Sequence, residues 1–231
     1  MKLIFNKFIF SFLSIIFFSS FVFAKEMHSE YIIEVGKIDV GKVFWSITLD
    51  ATKYKTFIKL EDRGIFSGLY SFGGIYSTEG RYINNSFVPS SYTQKWVTKS
   101  KKRSVELYFT NGVVSKLNLI PGEELPPKIE YLGASNAIDP LSSFLNILKN
   151  NNSSRTIDGR RFYKMVVENK DIKNNIITKN IKIKEYLNIW ADHNNNDLNS
   201  IQFEHINDNK LVLPHKIKIK FKGLVFKLSK I

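Results

Sequence analysis

Apolar and polar residues alternate along most of this 231-residue chain, and this alternation constrains the fold more than any other feature. It is clear in residues 31–35 and 43–49, and it recurs as far as residues 224–228. A period of two residues is typical of a β-strand that is buried on one face. The sequence therefore predicts a mainly β protein built from many antiparallel strands.

Two local signals indicate how neighbouring strands connect and that one face of the sheet is exposed to solvent. Asn111-Gly112 separates two alternating segments, and an Asn-Gly pair supplies the positive φ angles of a tight hairpin turn. Near the C-terminus, residues 216–222 carry every lysine on one side and every apolar residue on the other. A strand of this kind belongs to an antiparallel sheet with one face in water.

One segment departs from this pattern and predicts a helix that begins after Asp139. Asp139 suits the N-cap position, and Pro140 suits the first helical position. The apolar residues that follow recur at helical spacing and form one stripe: Leu141, Phe144, Leu145 and Leu148. The expected fold is a large curved antiparallel sheet or half-open barrel with one amphipathic helix packed on its apolar face. Asp139→Ala is then expected to cost only about 1 kcal/mol, the usual loss of an N-cap.

The first 24 residues have the layout of a cleaved secretory signal peptide. Lys2 and Lys7 flank the start, and an apolar run follows that ends in Val22-Phe23-Ala24, with a small residue at the exit. The run is shorter than the ~20 residues of a spanning helix. Cleavage after Ala24 is therefore favoured over a retained membrane anchor. We expect one mature β-rich domain, residues 25–231, located in the periplasm.

The composition limits which covalent cross-links and which binding partners we expect for this protein. The chain has no cysteine, so it has no disulfides and no lipid-bearing cysteine of a lipoprotein. Its formal net charge of +13 suits a membrane surface with anionic head groups, or acidic glycans. The alternative is a composition bias without function. The basic residues are scattered over many strands, so nucleic acid is not an expected partner.

No motif for catalysis or metal binding is complete. The four histidines do not have the spacing of metal ligands, and residues 192–197 lack the glycine of a calcium loop. Residues 133–137 resemble a nucleophile elbow without its last glycine, in a chain that lacks the α/β pattern. We therefore expect no enzyme activity, no metal and no cofactor.

Several short phrases, taken in order, resemble one family of exported bacterial proteins. The more specific phrases are Asp139-Pro140-Leu141-Ser142 and Asp158-Gly159-Arg160-Arg161, the latter within residues 157–163, and the others are residues 35–41, 64–69, 77–80, 88–89 and 213–214. Their order is similar to that in the family called domain of unknown function 3108, over nearly the whole mature chain. The resemblance implies an exported protein. It brings no catalytic residues, because the family has no established activity.

These observations favour a non-catalytic cell-envelope protein that binds an apolar or lipid-like ligand. A curved sheet with a helical lid resembles the periplasmic lipoprotein carriers, an analogy of fold alone. Apolar cavities rich in aromatic residues are the usual small-molecule sites. The residues expected to line such a cavity are Trp45, Phe57, Phe66, Leu69, Tyr76, Trp96, Phe144 and Leu148.

Two alternatives stay open at this point. In the first, the same residues fill a solid core and enclose no cavity. In the second, the protein has a structural or assembly role, and its sheet surface binds another envelope protein. That role predicts an exposed apolar patch or a bare edge strand in place of an enclosed cavity.

Overall fold

The computed structural model describes residues 24–63, 71–191, 197–208 and 210–231. Within these residues, 14 strands join one sheet, and all neighbouring strands are antiparallel except β8 and β9. The strands are β1 (Lys25–Val35), β2 (Ile38–Leu49), β3 (Lys53–Asp62), β4 (Phe72–Ile83), β5 (Ser86–Thr98), β6 (Lys102–Thr110), β7 (Val113–Ile120), β8 (Ala137–Ile138), β9 (Ser153–Ile157), β10 (Arg161–Lys173), β11 (Ile176–Asn188), β12 (Leu198–Ile206), β13 (Lys216–Phe221) and β14 (Leu224–Lys230).

The sheet is rolled into a nearly closed barrel. Its order runs from β7 through β1, then from β14 to β8, so the first strand of the chain pairs with the last. Val113 and Ser135 form one isolated antiparallel bridge beside the end strands. The loop after β7 is tied to the β9–β10 turn by an ion pair in which Arg160 Nε lies 2.7 Å from Glu123 Oε1. These contacts join the two ends of the sheet.

The β9–β10 turn fits closely against the barrel wall because residue 159 is glycine. Gly159 has a φ of +94°, and a Cβ there would lie 2.4 Å from Cγ1 of Val105, a buried residue of β6. Asp158 Oδ1 accepts hydrogen bonds from the backbone N–H groups of Arg160 and Arg161, at 3.0 and 2.9 Å. The Asp-Gly-Arg-Arg phrase therefore encodes a tight turn that helps to close the barrel.

The mainly β fold predicted from the alternation is confirmed. Asn111 and Gly112 connect β6 to β7 with φ angles of 53° and 78°, as predicted for this hairpin. In β13, Lys216, Lys218 and Lys220 project from one face of the strand, as the alternation of their burial indicates. Period-two patterns identify strands reliably here because most strands bury one face only.

The predicted helix is α1 (Pro140–Lys149), and its predicted start is confirmed. Asp139 is the N-cap, and its Oδ1 accepts from the backbone N–H groups of Leu141 at 2.9 Å and Ser142 at 3.1 Å. The helix ends at Asn150, the C-cap. Among the residues that the structure describes, no helix is long and apolar enough to cross a membrane.

Helix α1 lies inside the barrel and is enclosed by strands, whereas the sequence indicated a helix on one apolar face. Every residue from Ser142 to Leu148 is buried. The Asn146 side chain accepts from the N–H of Phe87 at 2.8 Å and donates to its C=O at 3.1 Å. Ser143 Oγ accepts a 2.8 Å hydrogen bond from Thr156 Oγ1. These bonds offset the cost of desolvating the polar side of the helix, so that side does not need water.

Two clusters of buried apolar side chains fill the barrel around the helix. In the larger one, the Phe144 ring lies between Trp45 and Phe203, at centroid distances of 5.7 and 5.1 Å. The smaller cluster comes mainly from β5 to β10, with three residues on β6, and includes Tyr92 and Leu107. The helix is thus held by aromatic packing as well as by hydrogen bonds.

Candidate functional site

The two ends of the barrel differ in how well their inward-facing side chains are buried. At the end that holds α1, residues such as Ile47, Tyr54 and Phe87 are buried. At the other end, where β1 turns into β2, β5 into β6 and β13 into β14, one set of inward-facing apolar side chains is only half-buried, beside buried ones such as Ile33 and Val43. We call this set the apolar mouth, and its members are Ile58, Leu60, Phe72, Tyr76, Trp96, Tyr186, Leu198, Ile219 and Phe226.

One wall of the apolar mouth is aromatic and comes from β3, β4 and β5. The rings of Phe72 and Trp96 are stacked, with centroids 5.9 Å apart and planes inclined by 8°. Gly74 lies between neighbouring rings, because a Cβ there would be 2.9 Å from Tyr76 Cε2 and 3.0 Å from Trp96 Cε3. Leu60 is the cross-strand partner of Gly74 and extends the wall onto β3.

The rest of the apolar mouth comes from β11 to β14. Ile219 and Phe226 are cross-strand partners, and both pack against the larger core cluster. Tyr186 stacks on Tyr163 at a centroid distance of 6.4 Å, and the Arg161 guanidinium lies 5.9 Å from the Tyr186 ring centroid. On this side, the mouth therefore continues directly into the larger core cluster.

The side chains that define the mouth are neutral at neutral pH, and the cations of Arg103 and Arg161 lie beside them. Burial raises the pKa of Tyr76 to about 12, so its hydroxyl stays protonated. Gln94, which faces the interior on β5, accepts a 3.0 Å hydrogen bond from the hydroxyl of Tyr92. A neutral, largely apolar lining suits an acyl chain or another apolar group better than a charged one.

A buried cation marks the opposite end of the interior. Lys179, on β11, is 2% exposed, and its Nζ donates a 2.6 Å hydrogen bond to the backbone oxygen of Ile147 in the last turn of α1. A cation at a helix C-terminus interacts favourably with the carbonyl groups that end there. Burial first, and the charge of Lys170 second, lower the pKa of Lys179 to about 8. This contact anchors the helix rather than forming a ligand site.

Because of Lys179, the unfolding free energy of the barrel should increase from neutral to mildly alkaline pH. The pKa of Lys179 is lower in the folded than in the unfolded chain, so above pH 8 the unfolded state binds more protons and stability rises with pH. We expect a gain of about 1–2 kcal/mol in unfolding free energy between about pH 7.5 and 9.5. Urea unfolding at the two pH values measures it.

Lys179→Met is the matched control for this pH dependence. The variant lacks the titrating amine and its hydrogen bond, so its unfolding free energy should be lower than that of the wild type. The gain in unfolding free energy between about pH 7.5 and 9.5 should be absent. An equal gain in the variant and the wild type would show that other groups cause it. Measurements stay below about pH 10, because tyrosines with raised pKa values oppose the effect above that point.

The structure separates the eight side chains that the sequence suggested as a cavity lining. Tyr76 and Trp96 belong to the apolar mouth. Trp45, Phe144 and Leu148 are buried together in the larger core cluster, where they pack against one another and the strands. These three fit the solid-core alternative, in which the residues fill the interior. Phe66 and Leu69 lie outside the described residues.

The prediction for Phe57 is corrected by its position in β3. Tyr54, Thr56 and Ile58 face the interior, so the alternation of a strand places Phe57 on the outer face. Its cross-strand partners are Ser46 and Ser77. Aromatic character alone suggested this residue, and the strand register excludes it from the lining.

Sequence reasoning missed most of the mouth. Ile58 and Leu60 lie in the same alternating segment as Phe57 but face the interior. The period-two pattern alone is therefore enough to identify them as interior residues. Tyr186, Leu198, Ile219 and Phe226 come from the C-terminal half of the chain. They join the mouth because β1 pairs with β14, a long-range contact that no local pattern reports.

Among the described residues, a further concavity is polar and lies at the end of the barrel opposite the mouth. An open groove of about 400 Å³ lies on β2 to β5, and its lining is mostly polar and charged, including Lys55, Glu79 and Arg81. Within the described ranges, no cluster of histidine and acidic side chains is suited to hold a metal ion. The calcium-like segment at residues 192–197 lies largely outside those ranges. His205 faces the interior on β12, and burial lowers its pKa.

The fold defines a class of barrel-shaped, mainly β proteins, and a solved structure of this class is similar to the chain. It is described as a beta-barrel-like protein of domain of unknown function DUF1849 from Brucella abortus. The two chains are 8% identical, the match covers 90% of this chain and 96% of that one, and the TM-score is 0.52. A likeness at this identity supports the fold alone.

The other comparisons give no relative. No protein-family model and no curated protein matches this chain. The similar structure carries a different family number from the one that the sequence phrases resemble. Membership of the domain of unknown function 3108 family therefore stays a prediction.

Proposed function

We propose that this protein is an exported, non-catalytic cell-envelope protein that holds an apolar or lipid-like ligand in the apolar mouth of its barrel. The observation that carries the proposal is the set of half-buried apolar side chains gathered at the mouth. Trp96, Phe72 and their neighbours there keep apolar surface accessible. A ligand seated there would remove this surface from water at about 25 cal/mol per Å².

The role proposed for α1 differs from that of a lid. The helix fills the end of the barrel opposite the mouth, and its polar groups are bonded to the strands. It therefore acts as a floor that limits how far a ligand enters. Ligand exchange then takes place at the mouth and leaves the helix in position.

Native mass spectrometry of protein purified from the periplasm tests the proposal. We expect adducts with the mass of acyl-chain compounds, which organic extraction releases for identification. Trp96→Asp should reduce adduct occupancy several-fold, because it places a carboxylate in the apolar lining. Phe57→Asp is the matched control, since it introduces the same charge on the outer face of the barrel.

The assembly role is the alternative outcome of this experiment. Protein that never carries an apolar adduct, but that cross-links in cells to one stoichiometric envelope protein, would replace the ligand proposal. Fractionation and N-terminal sequencing of the mature protein test the export step, for which we expect a chain that starts at Lys25 in the periplasmic fraction. A chain retained in the membrane with its first 24 residues would contradict cleavage.

A further inference from the structure

Two hairpins at the mouth end of the barrel are strongly basic. Residues 95–103, in the β5–β6 hairpin, contain five basic residues and no acidic one. Residues 216–227, in the β13–β14 hairpin, contain five lysines and no acidic residue. We call these two segments the basic tips. Together they concentrate positive charge at the end of the barrel where the lining is apolar.

Each basic tip also carries an exposed apolar side chain directly opposite a lysine. In the first tip, Val97 is 44% exposed and is the cross-strand partner of Lys102. In the second, Val225 is 42% exposed and is the cross-strand partner of Lys220. An apolar side chain flanked by cations is typical of surfaces that enter the head-group region of a membrane.

The charge on the basic tips is only partly balanced by the protein. Within the described residues, no ion pair involves Lys102 or Lys220. In the second tip, Lys216 and Lys222 each lie 3.7 Å from a carboxylate, those of Glu204 and Asp197. The remaining positive charge is complementary to anionic phosphate groups.

The first tip is held in a defined shape. The backbone N–H of Thr98 donates to the oxygen of Lys101 at 2.8 Å, and the N–H of Lys101 donates to Thr98 Oγ1 at 3.1 Å. These two bonds close the turn between β5 and β6. A preformed tip loses little conformational entropy when it binds a surface.

The two basic tips stand on different sides of the mouth. In the sheet order, the strands β4, β3, β2 and β1 lie between β5 and β14. The first tip joins the mouth directly, because Trp96 lies opposite Arg103 on the inner face. A flat surface that contacts both tips would therefore cover the mouth.

We propose that the basic tips dock the protein on an anionic lipid bilayer and bring the apolar mouth to the membrane surface. This inference rests on the proposed function, because docking would place the mouth where acyl chains are taken up or delivered. Lysines supply the attraction to phosphate groups, and Val97 and Val225 enter the head-group region. Docking itself requires no ligand, so the two proposals fail separately.

Vesicle flotation of the purified protein tests the docking. We expect binding to vesicles of phosphatidylcholine mixed with phosphatidylglycerol, no binding to phosphatidylcholine alone, and release at high salt, since salt screens charges beyond about 10 Å at 0.1 M. Lys102→Glu combined with Lys220→Glu should weaken the binding about tenfold or more, because each cation contributes strongly at an anionic surface. These positions are exposed, and circular dichroism checks the fold of the variant.

A charge-matched variant at the other end of the barrel is the control. Lys53→Glu combined with Lys173→Glu changes the net charge equally, on the β3 start and the β10 end. It should bind the vesicles nearly as well as the wild type. Equal losses of vesicle binding in the two variants would overturn the proposal and would indicate diffuse charge attraction. A lack of binding to anionic vesicles would also overturn the proposal.

A soluble probe separates failure of docking from failure of ligand binding. The Lys102 and Lys220 variant should bind an acyl-chain detergent below its micelle concentration as well as the wild type does. Docking without detergent binding would contradict the proposed function alone. Detergent binding without docking would contradict this inference alone.

Discussion

Phe144→Asp is expected to abolish cooperative folding of the barrel. The Phe144 side chain is 9% exposed and packs between the rings of Trp45 and Phe203 in the larger core cluster. A carboxylate there loses the aromatic contacts and is desolvated without a partner, at a combined cost of at least about 5 kcal/mol. Because a domain of this kind is stable by only about 5–15 kcal/mol, thermal melts should show no native transition or a severely lowered one.

Phe57→Asp is the control for this prediction. Phe57 is half-buried on the outer face of β3, where water reaches an introduced carboxylate. It should therefore melt much closer to the wild type than Phe144→Asp does. A Phe144→Asp protein with a melting temperature like that of the wild type would mean that helix α1 is not enclosed by the barrel.

Asp139→Ala should be far more destabilising than the loss of an ordinary N-cap, by about 3–4 kcal/mol. The Asp139 carboxylate is fully buried and also accepts hydrogen bonds from Ser142 Oγ and, at 2.7 Å, from Thr78 Oγ1. Burial raises its pKa, so the charge itself is costly, but four donors compensate it. Alanine would leave those donors unsatisfied in the interior, and urea unfolding measures the loss.

Asp50→Ala is the matched control for this second prediction. Asp50 also accepts from two backbone N–H groups, those of Thr52 at 2.8 Å and Lys53 at 2.6 Å, but it does so in an exposed turn. Water replaces the lost acceptor there, so the change in stability should be much smaller. Equal losses at the two positions would show that burial of the Asp139 network adds nothing to the cap.

Local patterns in the sequence were sufficient for the mainly β class, the Asn111-Gly112 hairpin and the start of α1. Each of these depends on residues close together in the chain: the alternation, the turn pair and the Asp139-Pro140 cap. The cost of Asp139→Ala expected from the sequence is lower than the one expected from the structure, because the sequence does not reveal Thr78 as a partner, 61 residues away. Burial of the cap is a tertiary effect.

The enclosure of α1 also depends on long-range contacts. Ser142, Ser143 and Asn146 lie outside the apolar stripe that the sequence predicted, and the barrel supplies polar partners for them from β3, β5 and β9. Most of the apolar mouth was missed for the same reason. Its β3 to β5 wall contains the expected Tyr76 and Trp96, whereas the β11 to β14 wall exists only because the chain ends pair.

Quenching of Trp96 fluorescence by a brominated acyl-chain detergent tests the ligand-binding mouth most directly. In a variant with Trp45→Phe and Trp190→Phe, Trp96 is the remaining tryptophan, and it lies half-buried in the mouth. We predict saturable quenching below the micelle concentration, and competition by the unbrominated detergent. A matched variant that keeps only Trp45, which is buried beside Phe144, should be quenched much less. Absence of saturable quenching at Trp96, or equal quenching at both tryptophans, would contradict a ligand site in the mouth.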